Sequence, residues 1–320
     1  RGGELTVHAQ LVLDFSQVTM RQAGPHRVEV AGAIGHPASA TLKVCATWDD
    51  GWRGVAYQPV IGPRAVERAQ KQADAIFERC AGMLRARNLP PYLATETVMI
   101  GAGAALGPRL FDQGAQEVIA KLIADHPMAE GAGLMVQEQY AAICGGAPGH
   151  TISIGAAVTP LIQLACVLVP KTQVTALLDM GQGPAPVPDA HLPGAYDPAS
   201  APPLAPPLVA DPQAETRQFP LGMLAWLRSG EKGETINVGV IARDPAQLGW
   251  IRAGVMAALE QGWLDHLYAG QPARFRIYDV PGIHAFNVVL SGALPGGLNT
   301  STRLDSAAKS VAQQLVDMPI

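Results

Sequence analysis

Apolar residues alternate with polar or small ones through 27–30 and again through 41–48, the period of half-buried strands. Asp49-Asp50-Gly51 directly after the second run predicts a hairpin turn. From Pro63 the period becomes helical: Val66, Ala69, Ala73, Ile76, Phe77, Cys80 and Leu84 share a face, with Glu67, Lys71, Asp74 and Glu78 opposite. That helix should end near Asn88, before Pro90. Residues 95–100 read as a strand and 127–143 as a second helix, despite the cost of Gly131 and Gly133. In between, Val118, Ile119, Leu122 and Ile123 fit helical spacing, yet a strand there completes a β-α-β-β-α-β order with 161–169. We take the strand, which predicts an antiparallel sheet covered on one face by two helices.

Ten of the 27 prolines fall between Pro184 and Pro212, where each removes an amide donor and restricts its neighbour. Residues 181–217 therefore read as an extended, partly disordered linker. Beyond it, 223–227 and 236–242 read as strands joined by a turn over 229–234. Asp244 and Pro245 open a helix with Leu248, Ile251, Val255 and Leu259 on one face. Strands follow at 275–278 and 283–290, and Asp305 caps a final helix carrying Ala308, Val311, Ala312 and Leu315. The expected class is α+β: two α/β-sandwich domains with ferredoxin-like layers, 1–180 and 218–320, joined by the proline-rich segment.

Composition narrows the partners. The chain has 320 residues, 48% hydrophobic and 16% charged, enough for two ordinary cores. A formal charge of −4 and the lack of a Lys/Arg block argue against a nucleic-acid surface. The longest apolar run, 164–169 with Leu161 and Ile162 just before it, is far short of the roughly 20 residues that span a bilayer. Cys45, Cys80, Cys144 and Cys166 have no CxxC spacing and lie among apolar residues, which predicts reduced, buried thiols in a cytoplasmic protein, with a structural disulfide as the alternative. Arg1-Gly2-Gly3 carries no signal-peptide pattern, and the expectation is a processed or truncated piece.

Two polar strings hold most of the candidate chemistry. In the first, amides freed by Gly230 and Gly233, with the Lys232 ammonium and Ser229, suit a carboxylate or phosphate, and Asn237 points to the same sheet end. A solvated hairpin explains the same residues, and there is no Walker lysine–threonine pair. In the second, His284 opens an apolar strand where an imidazole needs a partner or water, either as a general base or as a structural group. Asn287 follows it, then a donor-rich loop with Asn299, and Arg303, which suits bidentate carboxylate binding. Asp49 and Asp50 fit turn geometry better than a metal pair. Arg64 and Arg68 share a helix face suited to solvent or an anion, and no histidine pair has metal-ligand spacing.

The order Ser229-Gly230-Glu231-Lys232-Gly233, Asn237 to Arg243, His284-Ala285-Phe286-Asn287, then Arg303-Leu304-Asp305 and Lys309 resembles the C-terminal ferredoxin-like domain of the acyclic terpene utilisation (AtuA) family. Glu231 stands where that pattern has Asp. Upstream, Asp14-Phe15, Arg27 to Gly32, Thr41 to Val44, Asp50-Gly51-Trp52, Arg68-Ala69 and, more loosely, Gly145 to Gly149 resemble the latter half of the family's long N-terminal region. The resemblance implies breakdown of acyclic terpenoids such as citronellol and geraniol in the cytoplasm, and a chain lacking the first half of that region.

These readings set a specific expectation. An enzyme subunit would act on a small branched acyl substrate, with CoA as part of it, by hydration, dehydration or lysis and without a redox cofactor. Lys232 and the glycine amides would hold an anion or oxyanion, Asn237 and Asn287 would orient a carbonyl, and His284 would move a proton. The alternative is a non-catalytic assembly module, a homo-oligomer or a hetero-oligomer with the missing segment.

Overall fold

The computed structural model describes residues 5–9, 12–14, 18–36, 39–108, 111–146, 148–187 and 218–320. Most of the expected linker, 188–217, lies outside the described residues. Strands β1 (Leu5–Ala9), β2 (Val12–Asp14), β3 (Thr19–Gly24), β4 (Arg27–Ala31) and β5 (Ile34–His36) precede a long β6 (Thr41–Ile61). The order then runs α1 (Ala65–Ala86), β7 (Ala94–Ile100), β8 (Glu117–His126), α2 (Ala129–Gly145) and β9 (Gly155–Pro170), with short β10 (Leu177–Leu178) and β11 (Ala185–Pro186) after it. The C-terminal part is α3 (Leu221–Leu224), β12 (Ala225–Lys232), β13 (Thr235–Ala242), α4 (Leu248–Glu260), β14 (Phe275–Val280), β15 (Ala285–Leu290) and α5 (Gly297–Thr300).

The expected β-α-β-β-α-β order is β6-α1-β7-β8-α2-β9. Its strands lie side by side as β9-β6-β8-β7, all antiparallel, and β1 pairs the first half of β6. The ambiguous segment is strand β8, in which Leu122 and Ala124 are wholly buried against Ile76 and Cys80 of α1 and Met135 of α2. Helix α2 accommodates its two glycines differently. A Cβ on Gly131 would fall within 2.4 Å of three atoms of the His126 ring, whereas Gly133 meets nothing within 4 Å. His126 is fully buried: its Nδ1 accepts from the Met128 amide at 2.9 Å and its Nε2 then donates to the Pro90 carbonyl at 2.9 Å. The glycine at 131 thus makes room for a histidine that ties the loop before β7 to the start of α2.

Asp49-Asp50-Gly51 is not a hairpin turn. β6 runs straight through it, and the register with β9 slips between Asp49 and Trp52, a bulge at which Gly51 adopts φ 102°. Strand β9 stays paired with β6 before and after the slip and keeps it extended, and the extra residue twists the strand rather than reversing it. A Cβ on Gly51 would lie 2.6 Å from the His126 carbonyl oxygen, so the bulge depends on glycine.

The C-terminal sheet has the order β12-β13-β15-β14, all antiparallel. Ile236, Val238 and Val240 face Ile251 and Val255 of α4 with essentially no exposure, each worth about 1.5–3 kcal/mol on burial. Three sequence expectations shift here. Residues 221–224 form the helical turn α3, held by the Leu221 amide donating to Met318 O at 2.9 Å. β12 extends to Lys232, so the turn shrinks to Gly233-Glu234, with Gly233 at φ 64°. The final α-helix is replaced by a 3-10 turn, Val311–Leu315. Asp305 is a cap all the same, accepting from the amides of Lys309 at 2.9 Å and Ser310 at 2.7 Å, but Ala308 at φ 52° interrupts any helix between them.

Candidate functional site

The two sheets meet along a polar seam that begins at the bulge. Two residues after Gly51, Arg53 lies directly opposite Asp125 on β8, and their side chains form a bidentate pair with both N–O distances 2.7 Å. Only 13% and 10% of these side chains are exposed. The remaining terminal nitrogen of Arg53 donates to the carbonyl of buried Thr300 in α5 at 2.7 Å. Thr300 Oγ1 lies 3.1 Å from Gln163 Oε1 on β9, and Lys121 on β8 donates to Thr302 O at 3.0 Å. Burial holds the Lys121 ammonium below its ordinary pKa, an effect increased by Arg53 and opposed by Glu96.

Continuing along this seam, Arg303 donates to the Leu267 carbonyl and lines a hollow of about 240 Å³. The opposite wall is Glu96, Thr97 and Val98 of β7 with Ala104 and Ala105, and His266, Leu304, Asp305 and Gln314 complete it. Burial lowers the Arg303 pKa, with Glu96, Tyr268 and Asp305 opposing that shift. His266 Nε2 lies 2.8 Å from Gln314 Oε1. Ala104 and His266 also line a second, more open hollow of about 650 Å³, whose walls include Pro108, Phe111, Trp263 and Ala269. The first hollow sets Glu96, Arg303 and Asp305 among apolar Ile236, Leu267 and Val311, and the second, apart from Asp265 and His266, is lined by apolar residues and glycines. Gly107 belongs to the contact as well, since a Cβ there would lie 2.6 Å from the His266 ring.

The residues expected to form one site are divided among several places. Gly230, Lys232, Asn237 and Ser229 do line one hollow, of about 410 Å³, with Arg228, Lys309 and Trp226 on the sheet face away from α4. Within it Ser229 is buried, and its Oγ accepts from the Ala312 amide at 2.9 Å, a structural role. The Lys232 ammonium donates to Glu231 O at 2.7 Å, and the Lys309 ammonium lies 3.8 Å from the Glu231 carboxylate. Asn237 Nδ2 donates to Asn287 Oδ1 at 3.5 Å, and Asn237 Oδ1 is buried without a partner. Gly233 instead packs against Gly297 at the start of α5, and Asn299 is an exposed residue of that helix.

His284 is not brought to Lys232. It precedes β15 at φ 51°, its carbonyl accepting from the Ala242 amide at 3.0 Å, while Lys232 pairs with Thr235 at the other end of β13. Seven residues of extended chain, about 23 Å, separate those ends. The reason is topological: the β12–β13 and β14–β15 turns lie at opposite ends of an antiparallel sheet, so Lys232 beside one turn cannot meet His284 beside the other. Arg68 also proves structural, donating to Ile61 O at 2.8 Å and to Pro148 O. Among the described residues no three His, Cys, Asp or Glu side chains cluster as metal ligands, and no helix is long and apolar enough to cross a membrane.

The seam residues Arg53, Asp125, Lys121, Glu96 and His266 carry no local signature, because each gains its role from a partner far along the chain. A family profile described as acyclic terpene utilisation family protein AtuA matches residues 2–180, and one described as AtuA ferredoxin-like domain matches 219–320. No curated protein and no solved structure matches the chain.

Proposed function

Starting from the fact that this chain belongs to the acyclic terpene utilisation family AtuA, we propose that it binds a branched, unsaturated terpenoid acid, free or as its thioester, between its two sheets. The carboxyl or thioester carbonyl would sit at Arg303, and the hydrocarbon tail would occupy the adjoining hollow beside Phe111 and Trp263. The observation that carries this reading is that a hollow holding Arg303 shares Ala104 and His266 with a second one walled by Pro108, Phe111 and Trp263. Ligand sites of this kind combine apolar walls with few convergent polar groups.

The reaction fitting this arrangement is redox-neutral addition or removal of water at the unsaturated acyl group. Arg303 would polarise the carbonyl, and His266, which borders both hollows, would move the proton. This replaces Lys232 and His284 in those roles. Calorimetric titration of the native chain with geranic acid, citronellic acid and acetate tests the binding step. Each buried methylene contributes about 0.8 kcal/mol, so the ten-carbon acids should bind at least about a hundredfold tighter than acetate. Equal affinities would reject the tail site.

A second reading is assembly, favoured by β9: it pairs only with β6 among the described strands, carries no charge over 16 residues, and exposes Leu164, Val167 and Leu168. Uncharged edges of that length invite another strand. Light scattering that returns a monomer at all concentrations would reject it.

A further inference from the structure

The thiols are not all buried, as their apolar neighbours suggested. Cys80 is buried, Cys45 is half-buried, and Cys144 and Cys166 are exposed. Cys45 on β6 and Cys166 on β9 are direct cross-strand partners, and their sulfurs lie 3.6 Å apart. We propose that these two residues form a modification site: a cross-strand dithiol that a low-molecular-weight disulfide, such as oxidised glutathione, converts to a reversible Cys45–Cys166 bond.

The geometry favours closure. Directly opposed antiparallel residues have Cα atoms about 4.5 or 5.5 Å apart, within the 4.4–6.8 Å range that disulfides span. Their Cβ atoms are about 4.5–5.5 Å apart, at or beyond the upper end of the disulfide range, so closure pulls the strands together and leaves a bond that is readily reduced. The exposed Cys166 sulfur makes the first attack on the reagent RSSR, forming Cys166–S–SR and releasing one RSH. Cys45 then displaces the second thiol from the Cys166 sulfur. Two protons and two electrons leave the protein, and RSSR is reduced to two RSH. Partial burial and the hydrogen bond to Cys45 raise the Cys166 pKa, while the nearby Lys43 ammonium opposes this, so the first step should quicken above neutral pH.

Such a bond would act on the seam. The same strand β9 carries Gln163, which contacts Thr300 of α5 and Asp50 of β6. Joining residues 121 apart in the chain also restricts the unfolded ensemble and should raise the unfolding midpoint of the oxidised form.

The test is incubation of the native chain with oxidised glutathione, alkylation of remaining thiols, and peptide mapping without reductant. The expected result is a monomer with a Cys45–Cys166 linked peptide, Cys80 still alkylated, and recovery of all four thiols on adding dithiothreitol. C45S should instead retain a glutathione adduct on Cys166. Wild-type chain that keeps that adduct without a cross-link, links through Cys144 between molecules, or leaves Cys45 and Cys166 reduced would overturn the proposal.

Discussion

Substituting Arg53 by Met should lower the free energy of unfolding by about 3–5 kcal/mol, the cost of leaving one member of a buried ion pair without its partner. Asp125 would lose both guanidinium contacts while staying about nine-tenths enclosed, and Thr300 O would lose its donor. Asp125→Asn should be milder, because the amide oxygen still accepts one guanidinium N–H and Arg53, now without its counter-ion, keeps its bond to Thr300 O. The pair Arg53→Met with Asp125→Leu should recover much of the loss, since two apolar groups leave no charge stranded. Urea denaturation of the four proteins measures all of this. A loss below 1 kcal/mol in Arg53→Met would mean that water reaches the pair and the seam is looser than described.

Arg303→Met should weaken binding of a ten-carbon terpenoid acid by about 10- to 150-fold, the loss of a charge-assisted hydrogen bond worth about 1.5–3 kcal/mol. Its effect on folding should be smaller than that of Arg53→Met. Methionine retains the packing of the side-chain stem, and the side-chain hydrogen bond lost is the one to Leu267 O. Calorimetry with geranic acid on both proteins gives the ratio, and a matching change in the alcohol geraniol would show that the charge is not what Arg303 recognises. Unchanged affinity for the acid would remove Arg303 from the site.

Much of the architecture was legible because local pattern and tertiary environment agree. The period of α1 survives as a buried face from Ala65 to Leu84, and alternation in β13 survives as Ile236, Val238 and Val240 inside with Asn237 and Gly239 outside. β8 was harder, since Val118, Leu122 and Ile123 suit either period, and only the completed βαββαβ order favoured a strand. The bulge at Gly51 escapes the sequence because Asp-Asp-Gly has the chemistry of a turn, and nothing local reveals that β9 stays paired with β6 before and after that point.

The site was less legible than the fold. Lys232, Gly230 and Asn237 were placed together because they are close in sequence on one hairpin, which pairs them in space by register. His284 joins that group in the sequence by its chemistry alone, and strand direction puts it at the far end of the sheet. Arg303 was found as a cation, but its surroundings come from β7 and the 104–106 turn about two hundred residues upstream. A contact between parts so distant in the chain leaves no periodic trace. Cys45 and Cys166 illustrate the same point, being apolar-flanked in sequence and adjacent across a ladder in space.

The claim that the ligand lies between the sheets is tested most directly by photolabelling. A citronellic acid analogue with a diazirine on its tail would be irradiated with the native chain and the labelled peptides mapped. Label is expected on peptides covering 104–111 and 262–270, competed away by geranic acid. Label confined to 226–241, on the outer face of the C-terminal sheet, would contradict it.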